Sequence, residues 1–342
     1  MRRKLPLFLA LSLLSLPFLA GPANAQPDAS VSGLFYTDYS APTDGRAASF
    51  NVTRAFLTGK VRIDPTWSGA ITYNAAPLMF VSGVSNGAGT TRTEPFEALL
   101  QTAYLQASGL LPGLNLQMGM VSNPWFEFET GFWGYRMLGL QFYPVFNAGY
   151  IPTYDLGLRA TGRIGAMGYM AQVDNGTGFR SAENNAGKAY TAGLTLEPLS
   201  GLTLAAFGYR GDSPALSQAD RYAAFAGYRN AGFRVAAEAT HVVTQSVGGA
   251  PVAENVLSAY SVMGLPVPAL PSPEVIARVD LLDGRVGSAS PDTTGTLQGL
   301  LGFSIKPAPG VMLVLNDQVA QETRAGVASV RNTVALHTQL AF

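Results

Sequence analysis

Val330-Arg-Asn-Thr-Val-Ala-Leu-His-Thr-Gln-Leu-Ala-Phe342 is the stretch on which the fold turns. Val334, Leu336, Thr338, Leu340 and Phe342 take every second place, and Thr333, Ala335, His337, Gln339 and Ala341 fill the places between. A period of two places successive side chains on opposite faces, so this is a β-strand with one greasy face and one polar or small face.

Working backwards from that end, comparable segments run over Gly310–Gln321, Thr296–Lys306, Val275–Asp283, Val256–Gly264, Gly232–Val243 and Arg221–Arg229. In the other half they run over Ser30–Tyr39, Phe50–Ile63, Ser68–Ala76, Pro95–Ala107, Leu114–Val121, Tyr154–Ile164, Met167–Asp174, Ala189–Glu197 and Leu202–Gly211. Most are near the roughly 9 to 11 residues that a tilted strand needs to cross a bilayer. Tight turns such as Asn230-Ala-Gly232 and Glu197-Pro-Leu-Ser-Gly201 alternate with longer polar loops, which assigns the two kinds of connection to opposite rims. The count, about sixteen, is even and brings both termini to the short-turn side, as closed bacterial barrels require. Val256–Gly264 and the Pro-rich turn after it are the weakest segments, so fourteen and eighteen strands stay open on the residues alone. An open sheet is excluded in hydrocarbon, where each unpaired backbone group costs several kcal/mol. The expected fold is all-β, a closed antiparallel transmembrane β-barrel, and its terminal aromatic strand resembles the closing strand of bacterial outer-membrane barrels.

The N-terminus fits that location. Arg2, Arg3 and Lys4 precede an apolar stretch from Leu5 to Ala20, and Ala23-Asn-Ala25 follows. These are a basic region, a hydrophobic region and an A-x-A cleavage site, so residues 1–25 read as a secretory signal peptide and 26–342 as one barrel domain in the cell outer membrane. No later apolar run reaches the roughly 18 to 20 residues of a spanning helix. Losing the three leading cations leaves a slightly acidic chain, which excludes nucleic acid as a partner. There are no cysteines, which removes disulfides, thiol nucleophiles and cysteine-ligated metals. The two histidines, His241 and His337, have neither a nucleophile motif nor metal-ligand spacing nearby, so no catalytic residue, metal or cofactor is expected.

One connector breaks the rhythm of the loops. From Ser122 to Thr153 the chain carries Trp125, Phe126, Phe128, Phe132, Trp133, Tyr135, Phe142, Tyr143 and Phe146. A loop so long and aromatic buries itself by folding into the barrel, as a third outer loop that narrows the lumen and brings Glu127, Glu129 and Arg136 to the constriction. The competing reading is two further strands, since Leu138–Phe146 is strand-like.

Sidedness follows from the cost of charge in lipid, about 2 to 4 kcal/mol for Arg or Lys at the midplane. With Ala55, Leu57, Val61 and Ile63 outward, Arg54, Lys60 and Arg62 turn into the lumen. Asp155, Arg159 and Arg163 do so opposite Leu156, Leu158 and Ile164, and Arg234, Glu238, Arg278 and Asp280 likewise. As a set they describe a wet pore with excess positive charge on its wall. Asp317 shares the parity of Leu313 and Leu315 and is expected at the outer interface, where the strand ends or bulges.

Phe50-Asn-Val-Thr-Arg-Ala-Phe-Leu-Thr-Gly-Lys-Val61, Asp155-Leu-Gly-Leu-Arg-Ala-Thr-Gly162 with Gly168-Tyr169 and Asp174-Asn-Gly-Thr-Gly178, and Ala277-Arg-Val-Asp280 together resemble the phosphate-selective porin O and P family. The resemblance implies a sixteen-stranded porin with an inward third loop, trimeric and passing small hydrophilic solutes or ions. Phosphate selectivity is not implied: phosphate-selective members share lysines and an arginine ladder at the constriction, whereas this third loop offers no lysine, one Arg136 and two glutamates. The expected function is a general or weakly selective diffusion pore. A non-conducting structural or adhesive barrel in the same bilayer is the alternative.

Overall fold

The computed structural model describes residues 27–76, 97–138, 151–180, 182–183, 185–213, 216–245, 250–286, 295–324 and 327–342, so the stretch 1–25, expected to be a signal peptide, lies outside the described residues. Sixteen strands close into one antiparallel barrel. They are β1 (Asp28–Pro42), β2 (Ser49–Arg62), β3 (Trp67–Ala76), β4 (Glu97–Ser108), β5 (Leu114–Ser122), β6 (Tyr154–Ile164), β7 (Met167–Asp174) and β8 (Ala189–Leu199) in the first half. β9 (Leu202–Ser213), β10 (Leu216–Arg229), β11 (Phe233–Gln245), β12 (Val252–Gly264), β13 (Glu274–Val286), β14 (Gly295–Ala308), β15 (Val311–Arg324) and β16 (Val327–Ala341) complete it. Every strand pairs with its sequence neighbours, and β1 closes onto β16 in a register running from Leu34 opposite Ala341 to Pro42 opposite Thr333.

The count and the strand character of Val256–Gly264 agree with the sequence expectation. Several strands reach further toward the long-loop rim than the alternation indicates: β10 begins at Leu216 rather than Arg221, and β12 at Val252 rather than Val256. Hairpins that rise beyond the hydrocarbon keep their backbone pairing but no longer need an apolar face, so the period-two signal fades before the strand does.

The barrel is inverted relative to a soluble protein. Leu57, Met118, Leu158, Leu194, Leu257 and Leu301 stand 52–67% exposed on its outside, whereas Arg221, Glu129 and Asp155 are no more than 2% exposed within. An apolar belt of that extent is stable only against hydrocarbon. Asp317 departs from expectation. β15 runs on without a register shift to Arg324, which leaves Asp317 mid-strand on the outer face, flanked by Leu315 and Val319 along the strand and by Leu301 and Val334 across it. The two-residue parity was right, but neither the bulge nor the strand end that would have moved it to the interface is there.

The seam is sealed by the last residue. Phe342 exchanges backbone hydrogen bonds with Gly33, Gly33 N donating to Phe342 O at 2.8 Å and Phe342 N to Gly33 O at 3.0 Å. Its ring lies over Gly33, where a Cβ would meet ring carbons at 2.3 to 2.8 Å. Any side chain at position 33 therefore displaces the closing residue. Gly33→Val should destabilise the folded barrel by about 1 to 3 kcal/mol. That loss is expected as a lower yield of the heat-modifiable folded band on refolding into detergent, with Gly59→Ala on the neighbouring strand as a mild control.

Candidate functional site

Ser122 ends β5 and the chain turns into the barrel. What the sequence presented as an irregular aromatic loop contains a ten-residue helix, α1 (Pro124–Trp133), followed by a 3-10 turn over Arg136–Leu138. The start and stop are encoded locally. Asn123 caps the N-terminus, its side-chain oxygen accepting from Trp125 N at 3.0 Å and Phe126 N at 3.4 Å, and Pro124 occupies the first helical place. Gly134 ends the helix at φ 79°, donating to Thr130 O. Trp125, Phe126, Glu129, Phe132 and Trp133 are buried at helical spacing on one face, but the charged Glu129 at its centre and the apolar Phe128 beside it blur the amphipathic stripe. Of the alternative strand Leu138–Phe146 only Leu138 is described, and it belongs to the 3-10 turn.

α1 lies against the inner wall of β9 to β12. Trp125 stacks on Phe207 with centroids 4.8 Å apart, Phe128 and Phe132 meet Phe225 edge-on at 5.0 Å, and Trp133 meets Tyr260 at 4.6 Å. Tyr135 carries the chain on to β14, where its hydroxyl shares a hydrogen bond with Ser304 Oγ at 2.7 Å and donates to Glu274. These contacts fix the third loop as a wedge across the lumen.

Charged residues either anchor the wedge or face open space. Glu129, on α1, accepts from Arg221 of β10 at 3.0 Å, and the same guanidinium nitrogen reaches Glu238 of β11 at 3.0 Å. Thr240 donates to Glu238. All three charged side chains are sealed from solvent. Burial, and then Glu238, push the Glu129 carboxyl well above the usual carboxylate range, with Arg221 opposing. Glu127 accepts from Ser122 and Arg159, whose other terminal nitrogen donates to Ser122 Oγ at 2.9 Å. Arg278 pairs with Asp280 at 2.8 Å, and its guanidinium lies 5.5 Å above Trp133.

Arg136 differs. Its guanidinium lies over Phe56 and Phe126, 4.9 and 5.1 Å from their centroids, and donates to the Tyr154 hydroxyl at 2.9 Å. Across from it Arg54 points inward from β2, and the charges acting on Arg54 include those of Arg136 and Arg180. Among the described residues neither Arg54 nor Arg136 has a carboxylate partner.

The residues singled out from the sequence thus separate. Glu127, Glu129, Arg136, Arg54, Arg159, Glu238, Arg278 and Asp280 gather at or beneath the wedge, and Arg234 packs under Tyr135, 5.8 Å from its ring. Glu129 and Glu238 do not face a passage; they are covered by α1. Lys60 and Arg62 lie lower, around a cavity with Asp28, Asp64 and Tyr104. Arg163 sits at the short-turn rim, paired with Glu197 at 2.7 Å. Asp155 is buried beneath the β7–β8 loop. His337 is enclosed near Asp38, 3.9 Å away, and His241 faces outward with Nδ1 2.8 Å from Asn255 Oδ1. Arg221, the keystone of the anchor, escaped the sequence reading, although its parity with Phe225 and opposition to Tyr222 would have turned it inward.

No family model matches the chain, and no curated protein matches it in sequence. Solved structures do. The anion-selective porin from Comamonas acidovorans superposes with a TM-score of 0.67 at 11% identity, over 93% of this chain and all of that one (100%). OmpT, an outer-membrane protein of Vibrio cholerae in a trimer form, gives 0.67 at 9% over 93% and 100%. The outer-membrane channel DcaP of Acinetobacter baumannii gives 0.62 at 12% over 92% and 97%. At such identities the likeness establishes the fold, that of outer-membrane porin and channel barrels; it does not single out the phosphate-selective porins.

Removing the central cation leaves two buried acids facing each other. Arg221→Leu should cost about 3 to 5 kcal/mol and loosen the third loop, read as faster proteolysis near α1. Glu129→Gln should be far milder. A carboxyl whose folded pKa is raised contributes stability at low pH and loses it as pH rises through that pKa, so the Tm of Glu129→Gln should gain on wild type between pH 5 and pH 8.

Proposed function

We propose that this chain is an outer-membrane porin, exported by its first 25 residues, through which small hydrophilic solutes and ions diffuse passively with a weak preference for anions. One observation carries the preference. The acids of the wedge and the wall behind it, Glu127, Glu129, Glu238 and Asp280, are each engaged by an arginine, whereas Arg54 and Arg136 present charge without a carboxylate partner among the described residues. A passing anion meets uncompensated charge there, and a cation is repelled. That a porin of the same fold is anion-selective agrees with this reading. Phosphate specificity lacks support, since the third loop has no lysine. A catalytic role lacks it too: His241 bonds an asparagine on the outer face, and His337 is enclosed beside Asp38.

The density of rings between α1 and β9–β12 favours a second reading, a plugged barrel whose loops bind a partner. Planar-bilayer recording separates the two. The porin reading expects ohmic single-channel steps and a reversal potential of anionic sign in a salt gradient; silent insertions would leave only the plugged barrel. Arg54→Gln combined with Arg136→Gln should lower the anion-to-cation permeability ratio at least about twofold.

A homotrimer is part of the same proposal. Asp317 in the middle of the apolar belt is costly against lipid and acceptable in a protomer interface, where a partner's hydroxyl or amide can donate to it. Asp317→Leu should therefore weaken the oligomer in mild detergent, measured by sedimentation, while raising the stability of any monomer released. A monodisperse monomer in both proteins would count against the trimer.

A further inference from the structure

Asp155, at the start of β6, and Asp174, at the end of β7, lie together beneath the loop that joins β7 to β8, 2% and 4% exposed. Asp155 lies close enough to act electrostatically on Asp174, and no arginine or lysine is bonded to either carboxylate among the described residues. Arg159, an inward cation of β6, stands opposite Gln172 in the sheet and is committed to Ser122 and Glu127. Loop amides hold the pair in place: Gly178 N donates to Asp155 Oδ2 and Gly176 N to Asp174 Oδ1, both at 3.0 Å, and Leu156 N reaches Asp155 Oδ1 at 2.7 Å.

Two neighbouring carboxylates this deep cannot both stay ionised on amide dipoles alone; they share a proton or bind a cation. Two further oxygens bear on the choice. Gln172 donates through Nε2 to Asp174 Oδ2 at 2.6 Å, which sets its Oε1 beside the same carboxylate, buried and without a partner. Thr177 Oγ1, between the two glycines whose amides bind the pair, is likewise buried and unpartnered. A proton on Asp174 can satisfy the Gln172 oxygen if that amide turns over, but it leaves Thr177 Oγ1 orphaned, at about 1 to 3 kcal/mol by the usual cost of an unmade buried hydrogen bond. A hard cation coordinates carboxylate, amide and hydroxyl oxygens alike, so it can take both carboxylates and the Thr177 hydroxyl, and also the Gln172 oxygen once that amide turns over and exchanges its bond to Asp174 for one to the cation.

We infer that Asp155, Asp174, Gln172 and Thr177 form a binding site for a hard divalent cation of the calcium class, which pins the β7–β8 loop to the outer rim. The loop carries Phe179 and Arg180, packed 5.5 Å from guanidinium to ring, and Phe179 meets Tyr154 at 5.6 Å. The site therefore ties cation binding to the order of one side of the pore mouth, and it stands whether or not the barrel conducts.

Calcium titration of the folded, chelator-stripped full-length barrel tests this, with thermal unfolding and tyrosine-sensitised terbium emission as readouts. One saturable site is expected, with calcium raising Tm and displacing terbium. Asp174→Asn should abolish it, and Thr177→Val, which keeps shape and removes one oxygen, should weaken it about tenfold or more. Should Asp174→Asn fail to fold, the Thr177→Val comparison alone decides. Absence of saturable calcium or terbium binding in wild type overturns the proposal, as does an affinity unchanged in Thr177→Val. A Tm that rises in Thr177→Val without calcium dependence would assign the acid pair to a shared proton instead.

Discussion

Backbone hydrogen bonding in hydrocarbon is the constraint from which the rest follows. A lipid-facing strand has no water to satisfy its amides and carbonyls, so every strand needs two neighbours and the sheet has to close. In this chain closure rests on β1 meeting β16, and on Phe342, whose backbone pairs with Gly33 and whose ring covers it. Position 33 admits the ring because it has no side chain. Once the sheet is closed, parity assigns every residue to lipid or lumen, and the charge distribution ceases to be free.

Within that closed wall the described part of the third loop, Ser122 to Leu138, is held by unlike forces along its length. Along α1 the grip is aromatic and ionic, with rings packed on Phe207, Phe225 and Tyr260 and Glu129 locked to Arg221. Such a buried pair contributes little net stability against an apolar replacement but penalises any loop position that separates its partners. Beyond Tyr135 the grip changes to cation–π contact, and Arg136 is left with charge to spare. The same wedge thus engages the acids Glu127 and Glu129 with arginines, while Arg136 is held by rings and a hydroxyl with no carboxylate partner among the described residues.

Asp317 and the Asp155–Asp174 pair are the places where local chemistry does not close on itself. One sets a carboxylate among leucines and valines on the outer wall; the other buries two carboxylates beneath a loop with orphaned oxygens around them. A polar group left incomplete in a low dielectric points to something that completes it. In the readings proposed above, a second protomer completes the outer wall and a cation completes the loop.

By itself the sequence determined the strand-built barrel, its even count and the side of the wall on which Arg54, Lys60, Arg159 and Arg278 stand, and it pointed to an inward third loop while leaving two further strands open. These depend on a period of two and on the cost of charge in lipid, both of which are written locally along the chain. Only the tertiary structure decided which charges neutralise one another, because Glu129, Arg221 and Glu238 lie on separate elements brought together by closure. The helix in the third loop belongs to that second class. Its cap at Asn123, its stop at Gly134 and the helical spacing of its buried residues are local, but Glu129 at the centre of that face hides it as an apolar stripe until Arg221 of β10 is brought against the carboxylate.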